Sequence, residues 1–134
     1  MDMTLKTCCV TAAIVVGMAA PTVVAHHSFS AEFDITKTVK VTGKVSSVRW
    51  SNPHAWIYID VKEDGKVANW GFELASPNGL MRSGWTRFSL KPGDVVTIEG
   101  SRAKNGSTNA NAQVITMGST GQKLFSGANP QAPQ

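Results

Sequence analysis

The sequence predicts an all-β domain with one short helix, and three observations support that fold class. Apolar and polar residues alternate over several short stretches after residue 38, as they do in strands that bury one face. Turn-forming pairs such as Asp64-Gly65 separate these stretches. Only Ser76-Pro77 carries a clear helix-start signal, because serine caps helices and proline suits the first helical position.

The first predicted strand, Thr38 to Trp50, is long. Its valines alternate with polar residues from Val39 to Val45, and the alternation then slips by one residue at Ser46-Ser47. Such a slip predicts a β-bulge, and Gly43 predicts a bend in the same strand.

The second predicted strand, His54 to Lys62, alternates strictly. Its apolar face consists of Ala55, Ile57, Ile59 and Val61. Its other face carries His54, Trp56, Tyr58 and Asp60. A hairpin turn at Glu63 to Lys66 leads into a third strand, Val67 to Leu74, with Trp70, Phe72 and Leu74 in phase.

The helix follows Ser76, can end at Gly84, and is expected to bury Leu80, Met81 and Trp85. The remaining elements are a turn at 91–94, a fourth strand (Val95 to Gly100), a polar loop (Asn105 to Asn111) and a fifth strand (Ala112 to Met117), which Lys123 to Phe125 can extend. The order β-β-β-α-β-β with a long bent first strand predicts a five-stranded OB-like β-barrel whose helix closes one end. Another small open β-sandwich is the alternative.

The amino-terminal residues predict export. Lys6 precedes an uncharged run at 8–20 that is shorter than the roughly 20 residues of a membrane span, and Val23-Val24-Ala25 suits signal peptidase. We therefore expect a signal peptide at residues 1–25, cleaved after Ala25, and a periplasmic protein with no stable membrane anchor after cleavage. An uncleaved anchor is the alternative. The mature chain would comprise an N-terminal segment (26–37), the barrel domain (38–126) and a disordered tail (127–134).

Cleavage would also remove Cys8 and Cys9, the two cysteines of the chain. The mature protein would then have no disulfide, no thiolate metal site and no cysteine nucleophile. The formal net charge is +4, and the charges are scattered singly. A basic value of this size is more typical of solubility than of polyanion binding.

The mature chain would begin with His26-His27, and this terminus predicts a metal site. A terminal histidine chelates through its α-amine and ring, and His54, the one other histidine, can add an imidazole. Nitrogen-rich tetragonal sites favour copper(II). We therefore expect copper to be held by His26 and His54, with His27 as an alternate ligand. Incidental or structural histidines are the alternative. Zinc is less favoured, because a closed tetrahedral site needs a fourth protein ligand.

The aromatic residues support a different function. Trp56, Tyr58 and Asp60 share the non-core face of the second strand, where OB barrels stack bases or sugars. An exported protein rarely meets nucleic acid, so we expect no nucleic-acid partner and instead a sugar, a peptide or an envelope protein. In the alternative of a purely structural role, Trp56 and Tyr58 pack under residues 26–37, which would also bring His26 toward His54.

Catalytic motifs are few. The serines lack a nucleophile-elbow context, and the carboxylates form no close sequence pair. If Glu73 is buried it needs a partner, for which Arg49 and Arg82 are candidates. We expect a binding protein; an enzyme is the third choice, and it would be a copper redox enzyme that uses the same nitrogens.

Five short motifs resemble a family of small exported bacterial proteins of unknown function. They are His26-His27-Ser28-Phe29, Asn52-Pro53-His54-Ala55-Trp56, Ser76-Pro77-Asn78, Gly84-Trp85-Thr86-Arg87 and Leu90-Lys91-Pro92-Gly93-Asp94. The resemblance extends over most of residues 26–126. It implies a proteobacterial periplasmic setting, and it implies no particular activity. The layout also resembles that of small periplasmic OB-fold proteins.

Overall fold

The structure, a computed structural model, describes residues 29–126, and strands form most of this part of the chain. In chain order the elements are α1 (Phe29–Glu32), β1 (Phe33–Arg49), β2 (Trp56–Glu63), β3 (Lys66–Glu73), α2 (Pro77–Arg82), β4 (Val95–Ala103), β5 (Asn109–Met117) and β6 (Lys123–Phe125). The prediction of a mostly β fold with few helices is confirmed. The predicted signal peptide, His26, His27 and the predicted tail lie outside the described residues.

Strand β1 carries the predicted irregularity. Its pairing with β2 shifts register between Val45 and Ser47, which confirms the bulge. The strand begins at Phe33, five residues before the predicted start. Its pairing with β4 shifts between Asp34 and Thr38, so the extra residues 35–37 interrupt the alternation from which the start was predicted.

The strands form one sheet in the order β3-β2-β1-β4-β5-β6, and these neighbours are all antiparallel. A further parallel pairing joins β3 to β5, where Gly71, Phe72 and Glu73 face Asn109, Ala110 and Asn111. The pairings of β1, β2, β3, β5 and β4 therefore return to their starting strand. Strand β6 is a short addition beside β5.

The core lies on the predicted apolar faces of β2 and β3. Ile57, Ile59, Phe72 and Leu74 have no exposed surface, and Trp70 is 5% exposed. Val96, Ile98 and Ile115 from β4 and β5 complete the same cluster. The period-two reading of these strands is therefore confirmed, because only that register turns every one of these side chains inward.

Helix α2 begins as predicted. The Ser76 hydroxyl accepts a hydrogen bond from the Gly79 amide at 3.2 Å, and Pro77 occupies the first turn. Leu80 and Trp85 are buried, but Met81 is 52% exposed, so its predicted core position is wrong. Two turns of helix can bury only one narrow side, and Leu80 occupies it. Among residues 29–126, no helix is long and apolar enough to cross a membrane.

Three further expectations need correction. The described chain has six strands and two helices, whereas five strands and one helix were expected. The sequence did not reveal β6 as a separate strand, or α1 at all, because segments of three and four residues are too short to show a hydrophobic period. Strand β4 extends beyond Gly100 to Ala103, and β5 begins at Asn109 within the predicted polar loop. Asn109 and Asn111 both pair with the parallel strand β3, and Asn111 is only 2% exposed.

Candidate functional site

The candidate residues lie on the outer face of the sheet, where β2, β3 and β5 run side by side. Register partners share a face, so the pairings place Trp56 beside Glu73 and Tyr58 beside Gly71. Gly71 in turn lies beside Asn109 of β5. This outer face is therefore aromatic on β2 and polar on β5.

His54 is held just before β2 by the end of β3. The Leu74 amide donates to the Ala55 carbonyl at 2.8 Å, and the Ala55 amide donates to the Ala75 carbonyl at 3.1 Å. These bonds extend the pairing past the strand ends. They direct the side chain of His54, which is 46% exposed, toward the outer face.

The imidazole of His54 is oriented by two oxygen acceptors. Its Nδ1 lies 3.0 Å from the carbonyl oxygen of Leu74 and 3.1 Å from Oε1 of Glu73. Both partners are acceptors at these atoms, so Nδ1 must carry the proton. In the neutral ring the lone pair is then on Nε2, the nitrogen that a metal ion would bind.

Glu73 supplies this site with a largely buried carboxylate, because its side chain is only 12% exposed. Sequence reasoning foresaw the need for a partner but named Arg49 and Arg82. In the structure the ion-pair partner is His54. It lies near Glu73 because backbone hydrogen bonds continue the pairing of the two strands to Leu74 and Ala75. Buried carboxylates that orient a histidine are a common feature around metal ligands.

Trp56 and Tyr58 form a stacked pair. Their ring centroids are 6.2 Å apart and their planes differ by 17°. A Cβ on Gly71 would lie 3.2 Å from the Tyr58 ring and 2.7 Å from Oδ1 of Asn109, so both side chains reach over this glycine. The Tyr58 ring is therefore seated on β3 at the one position that has no side chain.

Trp56 also lines a cleft of about 480 Å³. The cleft is bounded by Ala31, Glu32, Phe33, Trp56, Ala103, Lys104, Asn105 and Asn109. It thus lies between Trp56, the amino-terminal α1 and the β4–β5 loop. Lys104 joins two of these walls, because its amide donates to the Glu32 carbonyl at 2.8 Å and its ammonium group to the Ser30 carbonyl at 2.5 Å.

Asp60 is not among the residues that line the cleft. Its Oδ1 accepts a hydrogen bond from the side-chain amide of Asn69 at 2.8 Å, and that amide lies 3.1 Å from Ser46 Oγ. Asp60 therefore belongs to a surface polar cluster further along β2, and the structure does not bring it into contact with the cleft.

The described residues hold only part of the predicted metal site. Between residues 29 and 126, no three His, Cys, Asp or Glu side chains lie close enough together to hold a metal ion. Of the three predicted ligands only His54 lies among these residues, where it contacts Glu73, whereas His26 and His27 lie outside the described residues. The copper site thus stays a prediction.

Sequence reasoning missed the polar wall of the cleft. This wall consists of Lys104 and Asn105, which follow β4, and Asn109, which begins β5. Both strands were predicted to be shorter, and the segment 105–111 was interpreted only as a polar loop. A polar loop between two strands next to an aromatic strand face was the available signal. What placed it there was the parallel pairing of β3 with β5, which has no local signature.

No curated protein matches the chain. Sixteen chains of solved structures match, among them the mitochondrial single-stranded DNA binding protein Rim1 from S. cerevisiae. That protein is 12% identical, and the match covers 60% of this chain and 92% of Rim1 with a TM-score of 0.46. Residues 13–112 match the model of DUF6152, described as a family of unknown function, and the chain belongs to that family.

Proposed function

We propose that this protein is a periplasmic ligand-binding protein that holds copper(II) through the amine and ring of a mature amino-terminal His26 and through Nε2 of His54. The observation that carries the proposal is the orientation of His54, whose Nδ1 is committed to Leu74 and Glu73. A histidine fixed in this way presents its other nitrogen as a preorganised ligand. His27 serves as the alternate ligand.

The position of the amino-terminal segment supports this proposal. Residues 31–33 and Trp56 line the same cleft, and His54 lies two residues before Trp56, where backbone hydrogen bonds continue the pairing past the strand ends. His26 lies three residues before Phe29, and three extended residues span about 10 Å. We therefore expect a terminal chelate at His26 to lie within about 10 Å of Phe29, and contact with His54 is part of the proposal.

The proposal requires export and cleavage after Ala25, since only that cleavage frees the amine of His26. The charge pattern and the uncharged run at 8–20 support it. The intact mass of protein recovered from the periplasm tests it directly. A chain that begins at Ser28, or one that still carries Ala25, would rule out the terminal chelate.

Electron paramagnetic resonance tests the copper site itself. Protein that begins at His26, with one equivalent of Cu(II), should give a nitrogen-rich tetragonal spectrum that changes in His54→Ala. Glu73→Gln keeps the size of the side chain but removes the carboxylate behind the ring, so copper affinity should fall about tenfold. An unchanged spectrum and affinity in His54→Ala would mean that the terminus binds copper alone. A protein that begins at Ser28 is the matched control.

We also propose that β1 to β5 form an OB-type barrel, with α2 at one end and β6 as an addition. Three features support this: the circuit of strand pairings, the long bulged β1, and a helix between β3 and β4. In such a barrel the outer face of β2 and β3, flanked by the β4–β5 loop, is the usual ligand surface.

The cleft favours a second candidate function, the binding of a sugar or an extended peptide. Trp56 offers an apolar ring plane, and Asn105, Asn109 and Lys104 offer donors and acceptors around it. Trp56→Ala should abolish the chemical-shift changes that an oligosaccharide or peptide causes, and should leave copper affinity largely unchanged. A single-stranded oligonucleotide is expected to cause none. If no such ligand shifts the resonances of the cleft, this second function is wrong.

A further inference from the structure

The end of the molecule that carries α2 and β6 combines exposed apolar side chains with positive charge. Six large apolar side chains of the described chain are exposed, and three of them belong to these elements or to the loop after α2: Met81 (52%), Phe88 (80%) and Phe125 (61%). The cations there are Arg82, Arg87, Lys91 and Lys123. We call these seven residues the α2–β6 surface.

Buried contacts tie the two parts of this surface together. The indole Nε1 of Trp85, a residue that is 4% exposed, donates to the Phe125 carbonyl at 2.9 Å. The Ala75 amide donates to the Ser126 carbonyl at 3.3 Å. The start of α2 and the loop that follows it are therefore both fixed against the end of β6.

Phe88 is presented by a tight turn. The Phe88 amide donates to the Thr86 hydroxyl at 3.2 Å, and the Ser89 amide donates to the Thr86 carbonyl at 3.0 Å. Trp85 on one side and Leu90 on the other are buried. The ring therefore protrudes from a turn that is anchored at both ends. Burying this ring against another surface costs little conformational entropy, because the backbone that carries it is already ordered.

The charge of this surface has one sign. The chain contains no Asp or Glu between Glu73 and Asp94, and none after Glu99. Asp94 is committed locally, because its Oδ2 accepts the Lys91 amide at 3.0 Å. The Arg87 guanidinium lies 5.9 Å from the Phe88 ring centroid, so a cation accompanies the most exposed apolar group.

We propose that the α2–β6 surface binds reversibly to an anionic lipid bilayer, with Phe88 in the interface and Arg82, Arg87 and Lys91 against lipid phosphates. Cations that flank a protruding aromatic ring match a bilayer whose phosphates lie above an apolar layer. A protein partner would need a complementary patch of about 800 Å², and a fluid bilayer needs no such fit. Charge complementarity therefore favours the lipid surface.

Vesicle sedimentation tests the proposal with the purified chain in the form that cells accumulate. The chain should bind vesicles of equimolar phosphatidylcholine and phosphatidylglycerol, and not vesicles of phosphatidylcholine alone. Phe88→Ser should weaken binding about tenfold, because the ring would no longer leave water. Arg87→Gln with Lys91→Gln should weaken it at least about tenfold and reduce its salt dependence.

Val67→Ser and Lys62→Gln are the matched controls, because both residues are exposed and lie at the β2–β3 hairpin, the opposite end of β3 from α2. They should leave binding unchanged. Soluble glycerol phosphate should not compete, since it lacks the apolar layer. The proposal is overturned if the chain ignores the anionic vesicles, if it binds both kinds equally, or if the hairpin variants weaken binding as much as the α2–β6 variants.

Discussion

At the scale of single residues, Asp34 shows how a local turn sets a carboxylate. The Thr36 hydroxyl and the Thr36 amide donate to Asp34 Oδ1 at 2.6 Å and 3.0 Å. These two bonds, the side-chain bond first, hold the pKa of Asp34 below its ordinary value of 3.8. A carboxylate whose pKa is lowered by folding stabilises the fold above the unfolded pKa, and that contribution is lost as the pH falls through the folded pKa.

Thr36→Ala should raise the pKa of Asp34 toward its ordinary value, because it removes the hydroxyl hydrogen bond, which lowers the pKa more than the amide bond does. The change is measured by following the Asp34 carboxyl carbon during an NMR pH titration. Thr38→Ala, two residues along the same strand, is the control and should leave the titration unchanged. An unchanged Asp34 in Thr36→Ala would show that the hydroxyl does not contribute to the shift.

The candidate site divides at the same scale. His54, Trp56 and Tyr58 were predicted from strict alternation, and the structure gives each a neighbour: Glu73 for His54, and a stacked ring for each aromatic residue. Glu73 and the polar wall of the cleft could not be predicted as partners, because they come from β3 and from the β4–β5 loop with its flanking residues. Strand alternation shows which face a side chain occupies, but not which strand lies beside it.

At the scale of elements, β4 and β5 approach each other closely at Gly100. A Cβ at this position would lie 2.0 Å from the Asn111 carbonyl oxygen and 3.2 Å from the Ala112 Cα. The register of this pair shifts between Glu99 and Gly100, so the backbones converge where the side chain is missing. Gly100 was predicted only as the end of a strand, because a close approach between strands leaves no pattern within either one.

Gly100→Ala should lower the free energy of unfolding by about 3 kcal/mol, since backbone atoms must move to admit the methyl group. Gly106→Ala is the comparison: its φ is +76° and nothing lies within 4 Å of the added carbon. It should cost about 1 kcal/mol, from backbone conformation alone. Urea denaturation measures both. Equal losses in the two variants would contradict the close approach at Gly100.

At the scale of the whole molecule, the pairing of β3 with β5 links the first and the fifth strands of the sheet order. The Gly71 amide donates to the Thr108 carbonyl at 3.0 Å, and the Thr108 hydroxyl donates to the Asn69 carbonyl at 3.0 Å. The bond between Thr108 and Asn69 joins residues that are 39 positions apart in the sequence. Long-range pairing of this kind is formed by the whole chain and by no single element.

Thr108→Ala should lower the free energy of unfolding by about 1 kcal/mol and speed hydrogen exchange at the Gly71 amide. Its neighbour offers a control, because Ser107 Oγ is buried without a hydrogen-bond partner in the described structure. Ser107→Ala should be neutral or slightly stabilising. If both variants exchange Gly71 equally fast, the Thr108 side chain does not secure the pairing.

The sequence by itself determined the strand type, the core faces of β2 and β3, the bulge in β1 and the start of α2. Each of these follows from interactions between residues near one another in the chain, so period and capping residues are sufficient. The tertiary structure decided the extension of β5 to Asn109, the cleft beside Trp56, the Glu73 partner of His54 and the exposure of Met81. These depend on which strands meet, and that is set by packing and pairing over long sequence separations.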